Sequence, residues 1–179
     1  MTQNEFLPRY ILIPHFGDKE IVGVEIGSGG GGGSVAMLMR VPNIVKLYCV
    51  DPWKHVEGSM FEANRPQEWH DLMYNAAIKR LEAYKDRAVI LKMGSDEAIN
   101  HTPDEVDFVW IDGNHEEEQV KRDVVNWLSK VKMGGILGGH DYQIRYIKEI
   151  VTEELGWHNT GEDFTWWYIK KSKKSIMKP

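Results

Sequence analysis

Val24-Glu25-Ile26-Gly27-Ser28-Gly29-Gly30-Gly31-Gly32-Gly33-Ser34 is the stretch on which the reading of this 179-residue chain turns. It ends an apolar run, Ile21 to Ile26, that has strand length and is rich in Val and Ile, and it opens a short apolar segment, Val35 to Met39. A loop without side chains lets backbone N–H groups approach a ligand closely, and the helix N-terminus beyond it adds partial positive charge. The pattern predicts a cofactor loop; a flexible structural turn is the plain alternative. Glu25 sharpens the prediction, because a carboxylate inside a buried strand is costly unless a cation or hydrogen-bond donors meet it. The ammonium group of a bound amino-acid moiety would serve.

Further apolar runs of strand length follow at Lys46 to Val50, Ala88 to Lys92, Val106 to Ile111 and Gly135 to Gly139. Between them lie segments of helical period: Glu68 to Tyr84, with Trp69, Leu72, Met73, Ala76, Ala77, Leu81 and Tyr84 apolar, and Glu117 to Lys130, with Val120, Val124, Trp127 and Leu128. A third helix, Gln143 to Leu155, stops at Gly156, a residue suited to a left-handed cap. Strand alternating with helix predicts an α/β, Rossmann-like, doubly wound and mostly parallel sheet, with ligands beyond the C-terminal strand ends. The chain end departs from that alternation. Trp157 to Thr160, a Gly161-Glu162-Asp163 turn and the β-rich run Phe164 to Lys170 predict an antiparallel hairpin, packed by Phe164, Trp166, Trp167 and Tyr168. Residues 1–179 are expected to form one domain with its core at about 20–170, since the length suits a single core.

Asp51 ends the second strand, where the acidic residue of nucleotide-binding folds accepts the ribose hydroxyls; a turn residue ahead of Pro52 is the alternative. Taken together, VEIGSGGGGGS, CVDPW, VDFVWIDGNH and MGGILGGHDY resemble the class I S-adenosylmethionine-dependent methyltransferases. The likeness is greatest to the small-molecule O-methyltransferase branch (methyltransferase family 24-like), with its "IDG.H" and "GG...HDY" motifs, and spans roughly residues 20 to 170. It implies a seven-stranded sheet whose last strand is antiparallel. It also implies S-adenosyl-L-methionine as cofactor, with Glu25, Gly27, Ser28 and Gly29 at its methionine end, Asp51 at the ribose and Trp53 bordering the adenosine or the substrate. Ser95 and Asp96 would face the adenine edge, unless they cap the following helix. Asp112 counts both among the cofactor contacts and among the catalytic groups.

Methyl transfer to a hydroxyl needs an aligned nucleophile whose proton is removed or masked. Asp112 ends the fourth strand, His115 follows it, and His140-Asp141 ends the fifth, so the two carboxylates should share one rim. His115, Asp112 and His140 are the expected catalytic groups. Asp112, His140 and Asp141 are the expected ligands of Mg²⁺ or another divalent metal, an imidazole tilting the preference toward a transition metal. A helix-capping role for His115 and a core role for His140 are the alternatives. The unperiodic segment Pro52 to Gln67, with Trp53, His55, Met60 and Phe61, is the expected substrate lid.

The expected function is therefore O-methylation of a small hydroxylated metabolite or sugar. An NAD-dependent oxidoreductase, or a non-catalytic nucleoside-binding protein on the same fold, are the competing readings. The net charge of −5 gives no electrostatic reason to expect a nucleic-acid partner. The basic residues Lys170, Lys171, Lys173, Lys174 and Lys178 read as a solvated tail. One cysteine, Cys49, in an apolar run, suggests a buried inert thiol and a cytoplasmic protein. The N-terminus lacks a signal-peptide pattern, and no stretch has the apolar length of a membrane span. A homodimer covering the acceptor pocket is a further expectation.

Overall fold

A computed structural model describes residues 6–59 and 62–171. A π-helical turn, Leu7–Leu12, runs into a short α-helix, Ile13–Phe16 (together α1). There follow β1 (Ile21–Ile26), α2 (Gly32–Arg40), β2 (Ile44–Asp51), α3 (Gln67–Leu81), β3 (Ala88–Lys92), α4 (Ser95–Ala98) and β4 (Val106–Ile111). The chain continues through α5 (Glu117–Lys130), β5 (Val131–Gly139), α6 (Arg145–Leu155), β6 (Asn159–Thr160) and β7 (Trp166–Ile169). The seven strands form one sheet in the order β3-β2-β1-β4-β5-β7-β6. β1 to β5 pair in parallel, whereas β7 is antiparallel to both β5 and β6. The doubly wound expectation and the antiparallel ending both hold.

Both sheet faces are covered, which is why the central strands are mostly apolar, with Glu25 in β1 and Asp107 in β4 as buried exceptions. In β4, Val109 and Ile111 pack on one side with Val120, Val124 and Trp127 of α5 and Ile147 and Val151 of α6. Phe108 and Trp110 turn to the other side, among Leu7, Ile11 and Leu12 of α1, Met37 and Leu38 of α2 and Leu81 of α3. Cys49 is buried in that second cluster, and burial pushes its thiol up to about 12, as an inert cysteine requires. α6 ends at Gly156, as expected, but with φ +68 and ψ −129 the residue lies outside the left-handed helical conformation expected of the cap.

Three features depart from the sequence reading. Leu72 is 64% exposed, so the buried stripe of α3 runs through His70, Ala77 and Leu81. β5 begins four residues earlier than expected, at Val131, with a register shift where it meets β4. In the terminal hairpin Trp166 is buried, but Phe164 is half exposed with φ +65, so it serves the turn and not the packing. Among the described residues no helix is long and apolar enough to cross a membrane. Lys173, Lys174 and Lys178 of the basic tail lie outside the described residues.

Candidate active site

At the C-terminal ends of β1 and β2 the glycine loop is fixed by backbone constraints. Gly27 has φ +89, and a Cβ there would stand 2.1 Å from the Asp112 carbonyl oxygen, so the tips of β1 and β4 meet at a point only glycine fits. The Asp51 carboxylate holds the loop: Oδ2 accepts the Gly29 N–H at 2.9 Å and Oδ1 the Trp53 N–H at 2.8 Å. Burial raises the pKa of Asp51, opposed by those two backbone donors and by nearby His70. Trp53, in a left-handed conformation with φ +43, donates its Nε1–H to the Gly29 carbonyl at 2.7 Å and packs on Tyr74. It is 1% exposed, so the expected cofactor neighbour is also a clamp on the loop.

Behind the loop lies a cavity of about 210 Å³ lined by Glu25, Gly27, Ser28, Gly33 and Asp112, with Leu7 and Pro8 of α1. Glu25 is buried and accepts the Ser34 hydroxyl. Burial pushes its pKa up to about 7 against that hydrogen bond, so at neutral pH it stands near the midpoint of its titration. Ser28 Oγ is buried beside Glu25 but outside hydrogen-bonding geometry, and has no partner among the described residues. An acid pushed toward neutrality and a buried hydroxyl without a partner in hydrogen-bonding geometry thus share one cavity.

A second cavity, of about 460 Å³, opens on the other side of Gly27 and Asp112, which line both. One end is walled by Ser95, Asp96, Gln119 and Asp123. Ser95 donates its hydroxyl to Asp123 Oδ1 at 2.6 Å, and Gln119 Nε2 donates to the same oxygen at 3.0 Å. Burial pushes Asp123 up to about 6. Asp96 is half exposed and pairs with Arg122 at 3.3 Å. Neither Ser95 nor Asp96 caps α4, whose N-cap is Gly94 without a side-chain bond.

After β4 the cavity is also lined by Asp112, Gly113, Asn114 and His115. His115 Nε2 and Asp141 Oδ2 lie 2.6 Å apart, and the Tyr146 hydroxyl donates to the His115 carbonyl at 2.5 Å, which fixes the loop that bears the imidazole. Among the described residues, ligand atoms of Asp112, His115 and Asp141 fall within 4.8 Å of one another. His140 is turned elsewhere: its Nε2 donates to the Asp163 carbonyl at 2.7 Å, while Nδ1 stands 3.4 Å from Asp141 Oδ1. The third group with the two carboxylates is thus His115. Despite the burial that opposes it, the two histidines hold Asp141 far below the usual carboxylate range. The hydrogen bond to Asp141 raises His115; for His140 desolvation pulls the other way, and the contact with Asp141, the charges of Asp112 and Asp141 and the Asp163 carbonyl together outweigh it. His115 does not cap α5, whose N-cap is Glu116.

The expected lid segment borders this cavity through Pro52, Trp53, Lys54, Val56, Glu62 and Ala63. It is fastened at its tip by Ser59, whose hydroxyl donates to Glu116 Oε1 at 2.9 Å, and at its base by Gln67, which bonds the His55 N–H and the Trp53 carbonyl. Met60 and Phe61 lie outside the described residues. Two cavity residues escaped the sequence reading, His70 of α3 and Asp123 of α5. Each takes a buried-stripe position of its helix, and a period reading that counts only apolar residues passes over them. A polar residue at a position the period reserves for the core was the available signal.

Sheet order, antiparallel β7 and paired cavities about a glycine loop define a Rossmann-like methyltransferase. The family model for the methyltransferase domain, family 24, matches residues 24–142, and the chain belongs to that family. It is an S-adenosylmethionine-dependent methyltransferase. No curated protein matches the sequence significantly. Solved structures share the fold. A Clostridium thermocellum protein described as an rRNA methylase has a TM-score of 0.70 at 12% identity, over 96% of this chain and 97% of its own. A Staphylococcus aureus protein described as a caffeoyl-CoA O-methyltransferase has 0.65 at 14%, over 94% and 82%. The precorrin-6y C5,15-methyltransferase of Geobacter metallireducens has 0.59 at 15%, over 86% and 81%. Acceptors differ among these three, so the likeness carries the fold and no acceptor.

Proposed function

We propose that this enzyme methylates a hydroxyl oxygen of a small metabolite or sugar, with His115, oriented by Asp141, taking the acceptor proton. The carrying observation is the convergence of Asp112, His115 and Asp141, of which Asp112 and His115 line the larger cavity and Asp112 also lines the smaller one. S-adenosylmethionine supplies a methyl group on a sulfonium, open to in-line displacement. The chain's part is to place and orient. Glu25 and Ser28 would hold the amino-acid end, Gly27 and Gly29 would present backbone to the cofactor, and Asp51 would take the ribose hydroxyls. Ser95, Asp96 and Asp123 would meet the adenine, and Trp53 would fix the loop from below.

On the acceptor side the contact of His115 Nε2 with Asp141 would orient the ring, the arrangement of an oriented general base. Asp112 faces the same point and would orient the acceptor hydroxyl. A second reading rests on the same three donors. Two carboxylates and one imidazole suit a borderline transition-metal ion better than Mg²⁺, and a divalent ion there would mask the acceptor proton by lowering its pKa. Asp112, His115 and Asp141 would hold it, with His140 behind Asp141.

The chain's negative charge and the carboxylates of both cavities favour a small acceptor over a polyanion. The test is product formation from methyl-labelled S-adenosylmethionine with a panel of phenolic metabolites and sugars, and with ribosomal RNA as a separate arm. Label transfer to a small hydroxylated compound supports the reading, and transfer to RNA alone refutes it. The metal arm is direct. Loss of turnover on chelation, recovery with a divalent ion and metal retained by the purified protein would select the second reading.

A further inference from the structure

His70 stands in α3, on the wall of the larger cavity, in a stripe otherwise made of Ala77 and Leu81. It is 6% exposed, and its Nε2 is fully buried with no hydrogen-bond partner among the described residues. Trp69 packs edge-on against the ring, with centroids 5.0 Å apart, so the imidazole is held in place by shape and not by polar contacts. A buried polar nitrogen left unmet is destabilising, and a leucine at this stripe position would avoid it. The ring borders the same space as Asp51 and is close enough to bear on that carboxyl's titration. The two Asp51 oxygens are each engaged by one backbone N–H, which leaves each one further acceptor site and no donor.

From this we infer that His70 is a cofactor-contacting residue that completes the ribose grip: Asp51 accepts from a ribose hydroxyl and the His70 imidazole meets the other. The inference rests on the assignment of Asp51 to the ribose under the proposed function. The chemistry is complementary. A vicinal diol offers two donors and two acceptors, a carboxylate can only accept, and a neutral imidazole has one nitrogen of each kind. A turn of the ring about its χ2 angle decides which nitrogen faces the diol. Nε2 is fully buried as the ring stands, so it reaches a hydroxyl only through such a turn.

The inference predicts opposite movements of stability and affinity, which a residue that merely packs would not give. His70→Phe keeps an aromatic ring against Trp69 and removes the unmet nitrogen. It is expected to leave the melting temperature equal or higher and to weaken S-adenosylhomocysteine binding roughly tenfold. His70→Leu is the second apolar variant should the phenylalanine fail to fold, and His70→Gln, which retains a donor and an acceptor, is expected to recover most of the affinity. Titration calorimetry with S-adenosylhomocysteine and its 2′-deoxy and 3′-deoxy analogues locates the contact. In the wild type removal of either hydroxyl weakens binding; in the apolar variants one of those two penalties disappears. Apolar variants that bind like the wild type, or that lose affinity equally for all three ligands, overturn the assignment. Failure of the folded wild type to bind S-adenosylhomocysteine would instead overturn the Asp51 reading on which it stands.

Discussion

The two ends of this site are built by different means. At the tips of β1 and β2 the work is done by backbone and buried groups: a glycine pressed against the Asp112 carbonyl, an aspartate tied by two N–H groups, a tryptophan bonded to the loop it supports. At the tips of β4 and β5 it is done by side chains that are about one-fifth exposed, His115 bonded to Asp141 and His140 held by the Asp163 carbonyl beside it. The first end has one arrangement available to it. Under the proposed function the second would serve as an oriented base or as a set of metal donors. A cofactor common to a whole family asks for the first kind of construction, and an acceptor that differs among relatives asks for the second.

That contrast can be broken by substitution. Gly27→Ala is expected to be the most damaging change, because φ +89 and a contact of 2.1 Å offer no relief. A loss of about 3 kcal/mol or more in denaturant unfolding, and of S-adenosylhomocysteine binding, should follow. Gly29→Ala, with φ +47 but open space, should lose only about 1–2 kcal/mol. If the two variants were equally mild, the β1–β4 contact would not be the constraint described here.

Next in size, Asp141→Asn should lower kcat by roughly 10²–10⁴-fold and leave S-adenosylhomocysteine affinity within about threefold of wild type. A parallel loss of affinity would erase the separation between the two ends. In the base reading His115 must be neutral, and its bond to Asp141 raises its pKa, so the acid limb of the rate profile should move to lower pH in this variant.

Glu25 gives a smaller effect whose sign is fixed. Its folded pKa of about 7 exceeds the ordinary 4.5, so the stability linked to its proton is present below pH 4.5 and is lost as pH rises through 7, by roughly 3 kcal/mol. Glu25→Gln should therefore make the free protein more stable than wild type at pH 8 and nearly equal at pH 4.5. Binding an ammonium needs the carboxylate, so wild-type affinity for S-adenosylhomocysteine should fall about tenfold per unit below pH 7, and the variant should bind weakly without that slope. The smallest change is Trp53→Phe, which removes the bond to the Gly29 carbonyl; about 1 kcal/mol of stability is at stake.

How much was legible in the sequence follows the same division. β1 and β4 begin and end where their apolar runs do, because strands buried on both faces leave little room for polar residues, and the half-buried edge strand β3 was legible from its own Val-Ile-Leu run. Glu25 and Asp51 were legible as polar residues where apolar ones belong. The rim was legible in part: its aspartates follow from strand ends, but the choice of His115 over His140 as third member depends on the Asp163 carbonyl, twenty-odd residues on, capturing His140 Nε2. α1 was missed, since Pro8 and Pro14 mask a helix whose first turns can hold them. His70 and Asp123 were missed because periodicity was counted in apolar residues, and these two are polar members of apolar stripes.

The account stands most directly on what fills the two cavities around Gly27. Titration calorimetry of the purified protein with S-adenosylmethionine, S-adenosylhomocysteine and NAD, repeated for Glu25→Gln, measures it. Binding of both sulfur nucleosides, weakened by Glu25→Gln, with no heat from NAD, is the predicted result. Heat from NAD and none from the sulfur nucleosides would hand the glycine loop to a pyrophosphate and contradict the account.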